Sequence, residues 1–180
     1  MKNKYIVICA SGPSLTLDDC QVVISSGIKI IAVNSTWQVV PECNYIYSGD
    51  YLWWKVNYNQ ISSKAERWSC NVKACHHYNL NIYEPDYRGS YNSGQRAILF
   101  AASLGVEKII LLGFDCSLQS GVHWHGKHLQ TGNPGENCIR LWHYHFQMVS
   151  KHLNNKVEII NCSRNTELTC FKRMFLQDVL

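Results

Sequence analysis

Unbroken apolar runs alternate with amphipathic stretches along this chain. Ile6, Val7, Ile8 and Cys9 form the first run, and others stand at 28–33 (IKIIAV), 108–112 (KIILL) and 157–161 (VEIIN). Such runs, apolar at every position rather than every second one, predict strands buried on both faces of a parallel sheet. A shorter run at 44–48 (NYIYS) reads as a further strand. Between the runs the spacing is helical. Thr16 with Asp19 three residues on resembles a capping box opening a helix over 16–26, and Gly27 stops it. Asn92 and Ser93 can cap a helix over 92–104, in which Ile98, Ala101 and Ala102 recur at helical spacing before Gly105. A helix with an aromatic face is predicted over 136–153. The stretch 51–63, with Trp53, Trp54 and Tyr58, reads as a helix packed on the sheet in preference to a wall for a flat ligand. A short strand is expected at 71–74, an irregular connection at 78–91, dense loop signals across 116–137 and a short helix over 168–180. This alternation predicts a single Rossmann-like α/β domain over residues 1–180, with a mostly parallel sheet and helices on both faces.

The polar residues gather where strands end. Ala10, Ser11, Gly12 and Pro13 turn the chain after the first strand, Asn34-Ser35 follow the second, and Ser48-Gly49-Asp50 follow the third. In an open parallel sheet the ligand sits beyond the carboxyl ends of the strands, so these positions point to one crevice. A buried strand, a small-residue turn and a helix start also make an anion site, because free N–H groups and the helix dipole face the same way. Neither GxGxxG nor the P-loop lysine is present.

Composition narrows the setting. With 46% hydrophobic and 17% charged residues the 180-residue chain is globular, and a net charge of +4 suits an anionic ligand without making a nucleic-acid track. Nine cysteines contain no CxxC pair. The apolar core between Met1 and Cys9 is short for a signal peptide and no run reaches the length of a membrane span, so the expectation is reduced thiols in a cytoplasmic protein.

The set GPSL at 12–15, Asn34-Ser35, SGD at 48–50, and Asn92-Ser93-Gly94 opening a helix that leads through SLGVEKIILLGFD to Asp115 resembles a known superfamily. It joins bacterial sialyltransferases of the CMP-sialic-acid type with MptE-like 6-hydroxymethylpterin pyrophosphokinases, and the likeness covers about residues 5–165. It implies a nucleotide or nucleotide-sugar ligand. Ser11 and Gly12, with Ser14 in the same turn, fall where the family's first-strand turn touches the nucleotide. Asn34 matches its second-strand asparagine, and Ser93 and Gly94 its helix start against the nucleotide. Asp50 and Asp115 complete the nucleotide-binding set. The family's general base is a histidine between the strand aspartate and the last helix, where this chain holds His123, His125 and His128; His125 and His123 are the leading candidates. The family's tyrosine after the strand aspartate is replaced here by Cys116-Ser117, and the lid before the histidine is shorter.

The resemblance implies glycosyl transfer from a CMP-sugar-like donor without a metal ion. The alternative is a Mg²⁺-dependent pyrophosphokinase using Asp50 and Asp115, and a third reading is a protein that binds a nucleotide without turning it over. A metal site built from His123, His125 and His128, with Cys75-His76-His77 nearby, is a weaker reading, because structural zinc pairs its cysteines more tightly. His143 and His145 read as partly buried helix residues, and Arg88, Lys127 and Arg140 as surface charges. Nucleic acid is not an expected partner, and self-association stays open.

Overall fold

The computed structural model describes residues 4–85, 89, 91–127 and 132–180. Its strands are β1 (Tyr5–Cys9), β2 (Lys29–Val33), β3 (Tyr45–Tyr47), β4 (Glu66–Ser69), β5 (Asn81–Ile82), β6 (Lys108–Leu112), β7 (Glu158–Asn161) and β8 (Lys172–Arg173). They form one sheet in the order β5-β4-β3-β2-β1-β6-β7-β8, and every pairing is parallel. The chain winds outward from β1 to β5, then returns across the sheet to place β6 on the other side of β1. Strand order therefore reverses between β1 and β6, which is where an open α/β sheet leaves a crevice.

Both faces are covered, and this accounts for the continuous apolar runs. Val7 and Cys9 face a core formed with Cys20, Val23, Trp53, Trp54 and Ala74, carried by α1 (Leu17–Ser26), α2 (Tyr51–Asn57) and α3 (Val72–Tyr78). Ile6 and Ile8 face a second core with Ile98, Phe100, Phe146 and Val149, from α4 (Ser93–Ser103) and α5 (Glu136–Leu153). Alternate β1 residues thus serve opposite layers, and Ile6 through Cys9 are all at 0% exposure. The α/β class and its Rossmann-like arrangement are as expected. No helix among the described residues is long and apolar enough to cross a membrane.

The caps fall where the sequence places them. The Thr16 hydroxyl oxygen accepts from the Asp19 N–H, Gly27 ends α1 at φ 68°, and Asn92 with Gln95 forms a reciprocal capping box at α4. Two expectations are corrected. The segment 71–74 is not a strand: Asn71 caps α3, its side chain accepting from the Ala74 N–H, and the strand lies earlier, at β4. Only Ser69 of β4 is buried, so no apolar run announces it. The segment 168–180 is not a helix. Its buried residues Leu168, Phe171 and Leu176 sit at i, i+3 and i+8, a spacing that also fits a helix face, but the segment pairs its backbone with β7. The chain instead extends through β8 and closes in one 3₁₀ turn at Leu176–Asp178.

Arg164, after β7, ties that side of the sheet to α1. Its Nε and Nη2 donate to the two Asp19 oxygens at 2.8 and 3.0 Å. Burial pushes the Asp19 carboxyl up, but the Arg164 and Thr16 hydrogen bonds outweigh it and hold the group below its ordinary value. A carboxylate depressed in the fold adds stability above its unfolded value near pH 4, and that stability is lost as pH falls through the folded value. Because Arg164 is half exposed, we expect Arg164→Gln to cost about 1 kcal/mol or less at pH 7. Urea unfolding across pH should show the gap to the parent closing below about pH 3.5; a gap that is constant with pH would refute the coupling.

Candidate functional site

A cavity of about 460 Å³ opens at the reversal point, within the range of small-molecule sites. Ala10–Pro13 follow β1 into its wall, Asn34 follows β2, Gly49-Asp50 follow β3 and Gly113–Leu118 follow β6. The start of α4, Asn92-Ser93-Gly94, forms another side, and Ile139, Trp142 and Phe146 of α5 supply an apolar one.

The turn after β1 is bolted to the end of β6. The Ser14 N–H donates to Asp115 Oδ2 at 2.8 Å and its hydroxyl to Asp115 Oδ1 at 2.6 Å, while Gly12 N–H donates to the Gly113 carbonyl at 2.8 Å. Gly12 is required by this approach. A Cβ there would overlap both the Asp115 carboxyl and the Gly113 carbonyl. Burial raises the Asp115 carboxyl above its ordinary value despite the Ser14 donors. Residues 163–167 brace the same turn from behind: Phe114 N–H donates to Ser163 Oγ, Thr166 Oγ1 to the Phe114 carbonyl and Glu167 N–H to the Asp115 carbonyl.

Two non-glycine residues on the rim hold left-handed backbone, Asn34 and Cys116, each at φ 51°. Strain of this kind persists where neighbours enforce it. At Cys116 the enforcing neighbour is His143, whose Nε2 lies 3.0 Å from the Cys116 carbonyl. The carbonyl can only accept, so Nε2 carries the proton. Burial pushes the Cys116 thiol up to about 12, which keeps it protonated at neutral pH and makes it a poor nucleophile. Asn34 turns a buried side-chain oxygen toward no hydrogen-bond partner among the described residues.

The loop after Val122 folds back onto the β1 turn. Trp124 N–H donates to the Ser11 carbonyl at 2.9 Å, and Ser11 Oγ lies 2.9 Å from His123 Nδ1. His123 lines the cavity; His125 stacks on it with ring centroids 5.1 Å apart and is not among the lining residues. Ser93 lines the cavity too, and its hydroxyl accepts from the Gly49 N–H at 3.0 Å. Asn92, rather than Ser93, is the N-cap.

The structure therefore brings Ser11, Gly12, Asn34, Asp50, Ser93, Gly94, Asp115 and His123 to one cavity. Ser14 stands behind the wall, bonded to Asp115, and Asp50 caps α2 through the Leu52 N–H. Trp54 is buried packing, whereas Trp53 donates from Nε1 to Ser35 Oγ and also reaches the cavity. Arg88 and His128 lie outside the described residues. No cluster of three or more metal-ligating side chains occurs among the described residues. The one charged lining residue that went unnoticed in the sequence, among the described residues, is Arg96 of α4. The signal was its spacing, three residues past Ser93 and hence on the same face of the first helical turn.

No protein-family model matches the chain, and no curated protein matches it. Among solved structures, the MAf glycosyltransferase from Magnetospirillum magneticum AMB-1 is similar to it, with a TM-score of 0.71 over 99% of this chain at 13% sequence identity. The chain spans 34% of that protein. The likeness is one of fold.

Removing the bolt should loosen the turn. Asp115→Ala leaves the Ser14 N–H and hydroxyl without their acceptor, and we expect a loss of about 2–4 kcal/mol in urea unfolding. Gly12→Ala should destabilise by about 1–3 kcal/mol through overlap with backbone. Parent-like stability in both would show that the turn stands without this contact.

Proposed function

We propose that the cavity binds a nucleotide or nucleotide-sugar, and that the chain transfers a glycosyl group from a CMP-sugar-like donor without a metal ion, with His123 as general base. The observation that carries this is the Ser11–His123 pair on the wall of a cavity at the point of strand reversal. When His123 Nδ1–H donates to Ser11 Oγ, Nε2, which is closed off from solvent, is the nitrogen without a proton and is the one that would receive it. An acceptor hydroxyl then loses its proton to Nε2, its oxygen bonds the anomeric carbon, and the bond from that carbon to the phosphate oxygen breaks, its electrons leaving with the nucleotide. Ser11 positions the ring for this step.

Of the two histidines His123 is preferred over His125 because it lines the cavity. The glycosyltransferase-like fold supports the reaction class, and the resemblance of the strand-end residues supports a sialyltransferase-like donor. The pyrophosphokinase alternative asks Asp50 and Asp115 to offer oxygens to Mg²⁺. Both Asp115 oxygens already accept from Ser14, which argues against that use.

Thermal shift against CMP, CMP-sugars, ATP with Mg²⁺ and NAD should show stabilisation by the cytidine compounds; no shift with any of them removes the reading. With an active donor, His123→Ala should lower kcat by about 10²–10⁴-fold and leave donor binding within about twofold. His125→Ala should keep most of the turnover. The reverse pattern would transfer the base to His125.

A further inference from the structure

Arg96 is the only lysine or arginine among the described residues that line the cavity. It is half buried, and no carboxylate lies within ion-pair distance of it among the described residues. Its orientation is nonetheless built. Nε donates to the Tyr91 carbonyl at 3.0 Å, which turns one edge of the guanidinium toward backbone and leaves both terminal amino groups for another partner. The stem is fitted too, since a Cβ on Gly49 would stand 3.3 Å from Arg96 Cδ, tighter than side chains usually pack. The glycine of the Ser48-Gly49-Asp50 turn thus keeps open the slot that Arg96 occupies. Beside it are Ser93 and Gly94 in the first turn of α4, at the positive end of an 11-residue helix.

We propose that Arg96 is the anion anchor of this cavity and takes a phosphate group, sharing its oxygens with the Ser93 and Gly94 N–H groups, the first-turn donors that the Asn92–Gln95 capping box leaves over. The tetrahedrally arranged oxygens of a phosphate can meet a two-pronged guanidinium and a helix start from different directions, whereas the two oxygens of a carboxylate lie in one plane. A lysine could not reproduce the fork. The nucleotide identity of the ligand rests on the function proposed above; the anchor itself rests on Arg96, Gly49 and the start of α4.

Calorimetry with three probes, inorganic pyrophosphate, cytidine and CMP, tests it on the parent protein, Arg96→Gln and Arg96→Lys. Arg96→Gln should weaken CMP and pyrophosphate by about 10- to 100-fold and leave cytidine unchanged, with Arg96→Lys falling between. The salt dependence of CMP binding should flatten in Arg96→Gln. Equal weakening of cytidine and CMP, or unchanged CMP binding in both variants, overturns the anchor. If the parent binds pyrophosphate through Arg96 but neither CMP nor cytidine, the anchor stands and the cytidine-nucleotide reading falls. Far-UV circular dichroism of Arg96→Lys, the milder variant, separates lost binding from lost folding.

Discussion

The contact between Asp115 and Ser14 joins the two halves of the sheet at the place where they diverge. β1 and β6 are neighbours in space but are separated in sequence by the whole outward winding from β2 to β5. Their turns must leave the sheet together if the crevice is to have a floor. Ser14 supplies an N–H and an O–H, Asp115 supplies both acceptors, and Gly12 supplies the lack of a side chain that allows the approach. Ser11 is set by the same turn, and His123 is set by Ser11. Ser11 and His123 on this side of the cavity thus depend on a carboxylate whose two oxygens are both taken by Ser14.

Much of the fold was legible because burial on both faces leaves a simple mark. β1, β2, β6 and β7 are written as continuous apolar runs, and α1 and α4 are announced by Thr16 and Asn92 at their caps. The misread segments lie toward the sheet edges. In β4, Arg67 lies over the Tyr58 ring and Trp68 against Phe100, so that strand is held by individual aromatic contacts with no repeating pattern. The tail is pinned in the same piecemeal way, with Arg173 donating to the Ser163 and Arg164 carbonyls. Such contacts join residues far apart or irregularly spaced, and periodicity does not encode them.

For the site, the topology rule carried the reading a long way. Asn34, Asp50, Ser93 and Asp115 stand many residues apart, yet parallel strands deliver their ends to one side of the sheet. What the rule cannot resolve is which way each side chain turns. Ser11 and Ser14 lie in one turn, and one faces the cavity while the other faces Asp115. His123 and His125 lie two residues apart, and only the first is part of the lining. These distinctions arise from contacts across the turns of β1 and β6, which no local sequence pattern carries.

The order of the strands also separates the two groups on which the proposals rest. Arg96 and the start of α4 stand at the end of β3, where Ser93 accepts from Gly49, while His123 stands on Ser11 at the end of β1. With β2 between them, the two ends are about 10 Å apart at the usual strand spacing. In the proposed reading the ligand's charge is held at one end of the cavity and a proton is taken up at the other. Between them the Asn34 side-chain oxygen, which has no hydrogen-bond partner among the described residues, calls for a donor, which a phosphate ionised at neutral pH cannot supply and a base or ribose can. A ligand with its phosphate on Arg96 and its donor groups on Asn34 satisfies both constraints in a single orientation, directing its phosphate end toward α4.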